Sequence, residues 1–423
     1  MKDFGSRTVY QIFPDRFFNG ASANDPVPIR KWKEKPSRRS FFGGDILGII
    51  RKLGYLKKLG IGAIYLTPIF EAPSTHKYDT KDYFNIDPNL GTIEEFKELL
   101  KRAHELDIKV IIDGVFNHTG DHFWAFEDAA KYGKRSKYWD WYTIFGYPIR
   151  RKPLPNYKHA GIYYLPKLRH DNPEVVAYLV DVVCYWTAMG IDGWRFDMPW
   201  CIEPGFWRKI TQAALKVNKN LLLIGEYWRE PLEFLENYPF HGTMDYIFRE
   251  KTIQLLNSKI QPKEYLNSIA YKFKENEKIM NCWNMLSSHD TPRLLGQLHR
   301  NVSKAIVAFT LQFTLPGMPV IYYGDEIGLF GGKDPDCRRT FDWNETHWNR
   351  RLWETIKTLI DLRKTSEALS NGDIRIIRTT QNGFTFERFT ASESVKITID
   401  LKHYKAMIYV QKDKSMPKRY IVP

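Results

Sequence analysis

The chain has 423 residues, of which 43% are hydrophobic and 26% charged, a length that suits one large domain with appendages. Its net charge of +14 arises from 63 basic and 49 acidic residues dispersed through amphipathic stretches without an RNA- or DNA-binding signature, so we expect no nucleic-acid partner. No apolar stretch reaches the roughly 18 residues that span a bilayer, which argues against a membrane protein.

The first residues, Met1 to Gly5, lack the apolar core of a secretory signal, and we therefore expect a soluble cytoplasmic protein. The cysteines are far apart and show no CxxC spacing, so neither a zinc site nor a disulfide framework is predicted. We expect buried free thiols at Cys184, Cys201, Cys282 and Cys337.

Apolar, β-branched runs alternate with helix-period segments, which is typical of a parallel α/β fold. The predicted strands are Thr8 to Phe13, Gly62 to Leu66, Val110 to Val115, Ile191 to Phe196, Leu221 to Gly225, Met244 to Ile247, Asn284 to Ser287 and Pro319 to Tyr323. Predicted helices include Ile93 to Leu106, Pro173 to Met189 and a closing helix at Trp348 to Thr365. This count and rhythm predict a (β/α)8 TIM barrel.

Two segments depart from the repeat. About fifty residues rich in Tyr, Trp, Lys and Pro follow the third strand, far more than an ordinary βα loop, and predict an inserted subdomain that walls the cleft. After Ala368, short alternating runs at Asp373 to Arg378, Gly383 to Phe389 and Val395 to Ile399 predict a C-terminal all-β domain. The predicted boundaries are 1–117 and 172–366 for the barrel, 118–171 for the insertion and 367–423 for the tail.

Three of the apolar runs end in, or run directly into, a carboxylate. Asp197 follows GIDGWRF, Glu226 follows LLLIG, and Asp290 follows NMLSSH. The C-terminal ends of the strands are where a (β/α)8 barrel holds its chemistry. Three acids in such positions, each beside an aromatic residue, Arg or His, indicate an active site rather than packing.

Four short segments carry a resemblance to the α-amylase family of glycoside hydrolases: DGVFNH (113–118), GWRFD (193–197), GEYW (225–228) and SHD (288–290). The segment LPKL (165–168) with DNPEV (171–175) is similar to the group of neopullulanases, cyclomaltodextrinases and maltogenic amylases, as are HKYDT (76–80) and GGKDPDCR (331–338). Members of that group usually carry an N-terminal β-domain that helps them dimerise. In this sequence the first predicted barrel strand begins at Thr8, so the resemblance predicts no oligomeric state.

The resemblance implies that Asp197 is the nucleophile and Glu226 the general acid and base of a retaining hydrolysis. Arg195, two residues earlier on the same strand, points to the same side and is expected to keep Asp197 ionised. An aromatic setting formed by Tyr227 and Trp228 is expected to favour a proton on Glu226.

The resemblance also implies a sugar-binding set around these acids. Asp290 would bind sugar hydroxyls, and His118 and His289 would hydrogen-bond the same sugar, while Tyr78 would offer its ring face. Further implied contacts are Arg195 and Trp228 near the acids, and Asp334 and Arg338 in the donor subsites. Asp113 would brace the arginine and Asn117 would support the inserted subdomain.

One position departs from the family pattern. Where the family places Lys-His or Asn-Glu after the nucleophile, this chain has Trp200 and Cys201. An indole offers a flat apolar face and a single N–H donor, so Trp200 either lines the acceptor site by stacking or lies in the barrel wall.

A calcium site is a further expectation, although no cofactor is needed for the chemistry. Oxygen donors of the kind that a hard cation prefers match the group's calcium positions at Asn19, Asn24, Asp25, Gly43 and Asp45. Ala21 replaces a ligand aspartate there, and the alternative is a polar Asx-rich loop without metal.

Together these features predict a retaining α-glucan hydrolase. Its expected substrates are cyclomaltodextrins, pullulan or maltooligosaccharides, cleaved at α-1,4 bonds, with α-1,6 bonds and transglycosylation left open. One alternative is an α-glucosidase of the same superfamily, against which the LPKL segment argues. Another is an inactive carbohydrate-binding or scaffold homologue, against which the three retained acids argue.

Overall fold

The computed structural model describes residues 4–274, 276–412 and 418–422. Eight parallel strands form a closed barrel: β1 (Val9–Ile12), β2 (Ala63–Leu66), β3 (Lys109–Gly114), β4 (Gly193–Phe196), β5 (Leu222–Gly225), β6 (Gly242–Asp245), β7 (Trp283–Met285) and β8 (Met318–Tyr322). Each strand pairs with the next in chain order, and β8 pairs with β1 to close the barrel. The predicted barrel is confirmed.

The strands read as short apolar runs because both of their faces are covered, by barrel-interior side chains and by helices. The longer helices are Ile46–Leu59, Ile93–Glu105, Pro173–Met189, Pro204–Val217, Tyr246–Leu256, Val302–Thr314 and Arg350–Thr365. Shorter helices are Pro14–Phe17, Trp124–Tyr132, Pro231–Asn237, Pro262–Ser268, Asn276–Ile279, Leu294–Gln297 and Glu367–Asn371. Within the described ranges, no helix has the length and apolar character needed to cross a membrane.

The sixth strand corrects the sequence prediction. We predicted a strand at Met244 to Ile247, but β6 covers Gly242–Asp245 and a helix begins at Tyr246. The side chain of Asp245 accepts a hydrogen bond of 2.8 Å from the backbone N–H of Phe248, so it caps that helix and ends the strand. This shift places Tyr246 at the rim of the barrel.

The end of the insertion is hydrogen-bonded to the residues that follow β3. The backbone N–H of Leu168 bonds to the carbonyl of Asn117, and that of Thr119 bonds to the carbonyl of Pro166. The chain returns to the barrel at helix Pro173–Met189, where the carboxylate of Glu174 accepts a bond from the indole of Trp141. Asn117 therefore supports the insertion through its backbone carbonyl.

The tail is a five-stranded antiparallel sheet of β9 (Asp373–Thr380), β10 (Gly383–Phe389), β11 (Glu393–Asp400), β12 (Lys405–Lys412) and β13 (Lys418–Val422). The sequence predicted three of these strands and missed β12 and β13. Arg388 in β10 donates to the carbonyl of Thr314 at the end of a barrel helix, which fixes the sheet to the barrel. Residues 413–417 and 423 of the predicted tail, like residues 1–3 and 275 of the predicted barrel, lie outside the described residues.

The cysteines are free, as expected. Burial holds for Cys282 and Cys337, whereas Cys184 and Cys201 are only partly buried. A two-stranded hairpin that the sequence did not reveal, Phe70–Glu71 with Asp82–Ile86, flanks the loop that carries Tyr78.

Candidate active site

Asp197 and Glu226 lie side by side at the C-terminal rim of the barrel. In the paired strands β4 and β5, Phe196 is the register partner of Gly225, and each acid is the next residue of its strand. The backbone N–H of Glu226 donates 3.0 Å to the carbonyl of Phe196, so the ladder continues to the acids. Neighbouring strands lie about 4.8 Å apart, which brings the two carboxylates to one height on one face.

Arg195 is the charge centre of the site. Its Nη1 donates to both carboxylate oxygens of Asp113 at 2.9 Å and to Oδ1 of Asp197 at 3.1 Å. Its Nη2 lies 3.0 Å from Oε2 of Glu226, an ion-pair contact without hydrogen-bond alignment. Arg195 and Asp113 have no solvent exposure, so the guanidinium holds three carboxylates in a fixed, desolvated array. The predicted bracing of Arg195 by Asp113 is present.

Several influences act on the carboxylate of Asp197. Burial raises the pKa of Asp197 well above its ordinary value, the nearby charge of Glu226 raises it further, and Arg195 lowers it. The sequence analysis named only the last of these influences. Arg195 is also shared with Asp113, which accepts two of its bonds.

Glu226 is held by N–H donors on both oxygens rather than by an apolar environment. The indole N–H of Trp228 donates to Oε1 at 2.8 Å, and the backbone N–H of Met198 donates to Oε2 at 2.9 Å. Met198 adopts a left-handed backbone conformation with φ of 44°, which turns this N–H toward Glu226. Trp228, which the sequence named as part of an aromatic setting, therefore also contacts Glu226 as a hydrogen-bond donor.

Trp228 is itself fixed by a ring that the sequence analysis missed. Its ring lies parallel to that of Tyr246, with centroids 3.7 Å apart and an interplanar angle of 5°. Tyr246 is buried while Trp228 is 43% exposed, so the indole rests on Tyr246 and keeps access to the cleft. The sequence analysis placed Tyr246 inside the predicted sixth strand, whereas Tyr246 is the first residue of the helix that follows β6. Its position at the rim follows from where that helix begins.

Asp290 is oriented by two side chains from different segments. His289 Nε2 lies 3.0 Å from Oδ2 of Asp290, and Arg338 Nη2 donates to Oδ1 at 3.3 Å. Burial and the charge of Arg338 lower the pKa of His289 well below its ordinary value, so this ring is neutral. Its Nδ1 is 2.7 Å from Nε2 of Gln11, a partner at the end of β1 that the motifs did not reveal. The Gln11 amide therefore directs the Nε2 side of His289 toward the site.

Tyr78 closes this side of the site. Its ring stacks on His289 with centroids 5.6 Å apart and an interplanar angle of 6°, and its hydroxyl donates 3.0 Å to Oδ2 of Asp113. Tyr65 donates to the same oxygen at 2.5 Å. The hydroxyl of Tyr78 is thus part of the Arg195 network, and the contact of its ring face with a sugar stays a prediction.

His118 does not offer a free nitrogen to the cleft. It is buried, with Nε2 3.1 Å from the backbone carbonyl of Tyr78 and Nδ1 3.2 Å from the side-chain nitrogen of Asn117. Burial lowers its pKa to about 4. In this arrangement His118 supports the loop of Tyr78, and the predicted sugar contact requires one of these bonds to be exchanged.

The predicted donor residues line a cavity next to Tyr78. Arg338 Nη1 pairs with Oδ1 of Asp334 at 3.1 Å. The cavity has a volume of about 780 Å³ and takes its walls from four segments: the loop after β1, the loop after β2, the inserted subdomain and the loop after β8. Its lining includes Arg38, His76, Tyr78, Tyr164, Asp334 and Arg338. A cavity of this size exceeds what the acids alone need and suits a saccharide of several units.

Trp200 lies on the opposite side, in a 3-10 turn over Pro199–Cys201 that follows β4. It is half-buried, and its ring meets the edge of Tyr227 with centroids 6.2 Å apart. Trp200 is therefore neither fully buried in the barrel wall nor fully exposed. Its partial exposure is compatible with both predicted roles, stacking in the acceptor site and packing in the barrel wall.

The predicted calcium residues are near one another, but their donors are engaged. Asp45 Oδ1 accepts backbone bonds from Gly20 and Gly48, and Oδ2 accepts one from Ala21, so this carboxylate caps helix Ile46–Leu59. Asn19 donates its amide to Oδ1 of Asp25 at 2.7 Å. Gly43 packs against these two side chains, and Asn24 has a buried side-chain oxygen without a partner. Three N–H donors directed at Asp45 occupy most of its acceptor positions, so Asp45 is arranged as a helix cap rather than as a calcium ligand, while the Asn24 oxygen has no partner. Across the described ranges, no cluster of three or more His, Cys, Asp or Glu side chains is arranged to hold a metal ion.

Comparison with known proteins finds relatives that match most of the chain. Residues 11–373 match the family model "Alpha amylase, catalytic domain". The chain is 40% identical over 408 residues to a cyclomaltodextrinase of Thermoanaerobacter pseudethanolicus, covering 95% of this chain and 71% of that protein. It is 39% identical over 422 residues to neopullulanase 2 of Thermoactinomyces vulgaris, covering 98% and 72%.

A solved structure is also similar over nearly the whole chain. It is a cyclic α-maltosyl-(1→6)-maltose hydrolase from Arthrobacter globiformis in complex with cyclic α-maltosyl-(1→6)-maltose. The TM-score is 0.92 at 37% identity, and the match covers 94% of this chain and 90% of that one.

Proposed function

The chain belongs to the α-amylase family of glycoside hydrolases, and from this premise we propose that it hydrolyses cyclomaltodextrins and related α-glucans with retention of the anomeric configuration. Asp197 acts as nucleophile and Glu226 as general acid and base. The proposal extends to transfer of the glycosyl group to a second sugar.

The observation that carries the stereochemical part is the shared contact with Arg195. Asp197 and Glu226 touch adjacent nitrogens of one guanidinium, at 3.1 and 3.0 Å. Contact with one guanidinium brings both carboxylates to the same group, which favours the separation of about 5 to 5.5 Å of retaining enzymes. An inverting pair lies roughly 6.5 to 9.5 Å apart to admit a water molecule between the general base and the sugar.

The same geometry supports a route for the proton. Burial and the charge of Glu226 raise the pKa of Asp197 and Arg195 lowers it, so Asp197 is charged most readily when Glu226 carries a proton. As the sugar ring gains positive charge, ionised Asp197 becomes the favoured partner, and the proton on Glu226 passes to the leaving oxygen. The N–H groups of Trp228 and Met198 fix Glu226 for this transfer. Water, or an acceptor sugar, then attacks with Glu226 as base.

Asp290, His289 and Arg338 supply the contacts to the reacting sugar. Asp290 is the most exposed of the three acids, with a side chain 31% accessible, and is aimed by His289 and Arg338. Contacts to hydroxyls that strengthen as the ring flattens contribute several kcal/mol in such enzymes. Tyr78 provides a ring face against the same sugar, held parallel to His289.

The substrate class rests on the relatives and on the cavity. The similar proteins are named for action on cyclic maltodextrins, pullulan and a cyclic maltosyl-maltose, which include α-1,4 and α-1,6 bonds. The cavity of about 780 Å³ bordered by Asp334 and Arg338 supports binding of several glucosyl units on the donor side. A cytoplasmic location and a chemistry without cofactor complete the proposal.

Release of reducing ends from cyclomaltodextrin, pullulan and soluble starch by the purified protein tests the proposal. Asp197→Asn is the matched control, because a neutral amide of the same size cannot form the glycosyl-enzyme. Its kcat should fall by several orders of magnitude with an unchanged melting temperature. The proposal would be overturned if the wild-type protein cleaved none of the three substrates.

A further inference from the structure

Lys167, in the LPKL segment, has no part in the chemistry proposed above, yet its side chain reaches the site. The segment is held on both sides: the backbone N–H of Lys167 donates 2.9 Å to the carbonyl of Lys158, and Lys167 forms a bridge with His118. The backbone position from which the Lys167 side chain extends is therefore fixed.

The ammonium of Lys167 ends on the turn that follows the nucleophile. Its Nζ donates to the backbone carbonyl of Cys201 at 2.9 Å, across 34 residues of chain. Lys167 is half-buried, so this charged hydrogen bond is partly shielded from water and stronger than a surface contact. It joins the inserted subdomain to the 3-10 turn Pro199–Cys201.

Two residues at that turn, Met198 and Trp200, contact residues of the candidate active site. At its start, Met198 adopts the left-handed conformation, which is unfavourable for a residue with a side chain and persists only when its surroundings hold it. The N–H of Met198 then bonds to Oε2 of Glu226. In its middle, Trp200 projects against Tyr227. A shift of the turn moves both the bond to Glu226 and the ring of Trp200.

A second contact holds the same turn from the other side. The indole N–H of Trp207 donates 2.9 Å to the carbonyl of Pro199. The contacts of Trp207 and Lys167 fix the two ends of the turn, and of the two only Lys167 comes from the inserted subdomain.

We propose that Lys167 is a positioning residue that couples the inserted subdomain to Glu226 and Trp200 through the carbonyl of Cys201, and so sets the ratio of glycosyl transfer to hydrolysis. The proposal rests on the proposed function of this site. A water molecule is small and can still attack when the turn is displaced. An acceptor sugar must be held in a near-attack geometry, which requires the turn and the ring of Trp200 to keep one position. Loss of the bond therefore affects transfer more than hydrolysis.

The test compares Lys167→Met with Lys167→Arg, using cyclomaltoheptaose as donor and glucose as added acceptor. Methionine keeps an unbranched apolar stem without the donor, while arginine keeps both charge and donors. We expect Lys167→Met to lower the transfer to hydrolysis ratio roughly tenfold, the scale of one lost charged hydrogen bond, with a raised KM for glucose and a smaller fall in hydrolytic kcat. Lys167→Arg should restore most of the ratio.

Lys158→Met is the matched control, since Lys158 is an exposed lysine of the same subdomain. It should keep the wild-type ratio. A wild-type ratio in Lys167→Met, or an equal loss in Lys158→Met or in Lys167→Arg, overturns the proposal. If Lys167→Met does not fold, Lys167→Gln replaces it, and a wild-type ratio there has the same meaning. Wild-type protein without activity on cyclomaltoheptaose would instead contradict the proposed function.

Discussion

The indole N–H of Trp228 donates a hydrogen bond of 2.8 Å to Oε1 of Glu226. This contact makes Trp228 more than a sugar platform, because it orients the acid whose proton must reach the leaving oxygen. The parallel stack on Tyr246 fixes the indole in turn. Tyr246, Trp228 and Glu226 thus form a continuous path from the barrel wall to the reacting bond.

The first prediction removes this donor. Trp228→Phe keeps an aromatic ring over Tyr246 but deletes the N–H, and it should lower kcat for cyclomaltodextrin about tenfold, the scale of one lost hydrogen bond. Tyr246→Phe, which keeps the ring stack, is the control and should retain the melting temperature. Unchanged kcat in Trp228→Phe would show that the bond does not orient Glu226.

The second prediction concerns Trp200. If its ring forms a stacking surface for the acceptor, transfer products should have mixed linkages, and Trp200→Ala should lower the transfer to hydrolysis ratio more than it lowers cleavage of cyclomaltodextrin. Product analysis and a thermal melt on the same variant distinguish the two roles. A lower melting temperature with an unchanged product ratio would assign Trp200 to the barrel wall.

The third prediction concerns a buried acid away from the cleft. Glu326 Oε1 accepts hydrogen bonds of 2.6 Å from the hydroxyls of Tyr10 and Tyr55, and burial raises its pKa from 4.5 to about 7. A raised carboxyl pKa in the folded state stabilises the protein below pH 4.5, and this contribution is lost as the pH rises to 7. The loss amounts to roughly 3 kcal/mol of unfolding free energy.

Glu326→Gln keeps the acceptor oxygen for both tyrosines and cannot ionise. Relative to wild type, its melting temperature should therefore rise between pH 5 and pH 8. Glu105→Gln, at an exposed helix position, is the control and should show no such trend. A difference between Glu326→Gln and wild type that stays constant across this range would mean that Glu326 does not titrate there.

The fourth prediction addresses the calcium site. Because Asp45 already accepts three backbone bonds as a helix cap, removal of divalent cations with EDTA should leave the melting temperature unchanged. Asp45→Ala should lower stability by about 1 kcal/mol as the cap is lost, with or without calcium. A marked fall of the melting temperature on chelation, reversed by added calcium, would restore the calcium interpretation.

Much of the site could be predicted from the sequence, because an acid after a short apolar run marks the end of a barrel strand. Asp197, Glu226 and Asp290 were found in this way, and the motifs added Arg195 and Tyr78. Partners that lie outside the motifs were not found. Gln11 contacts His289 across 278 residues, and only the closure of β8 on β1 brings them together.

Two site predictions depend on partners that the sequence does not display. His118 lies inside a matched motif, and its Nε2 is 3.1 Å from the backbone carbonyl of Tyr78, so its contact with a sugar stays a prediction. The sequence linked Asp197 to Arg195, whereas burial and the charge of Glu226 also act on its pKa and Arg195 is shared with Asp113. Local spacing predicts which residues meet, and the three-dimensional distribution of partners determines their electrostatic environment.

The most direct test of the account is the configuration of the first product. Proton NMR can follow hydrolysis of an α-linked maltooligosaccharide on a time scale faster than mutarotation. Because Arg195 contacts both Asp197 and Glu226, an arrangement that suits a nucleophile and an acid acting by double displacement, we predict that the α-anomer appears first. Initial formation of the β-anomer would contradict double displacement and the roles assigned to both acids.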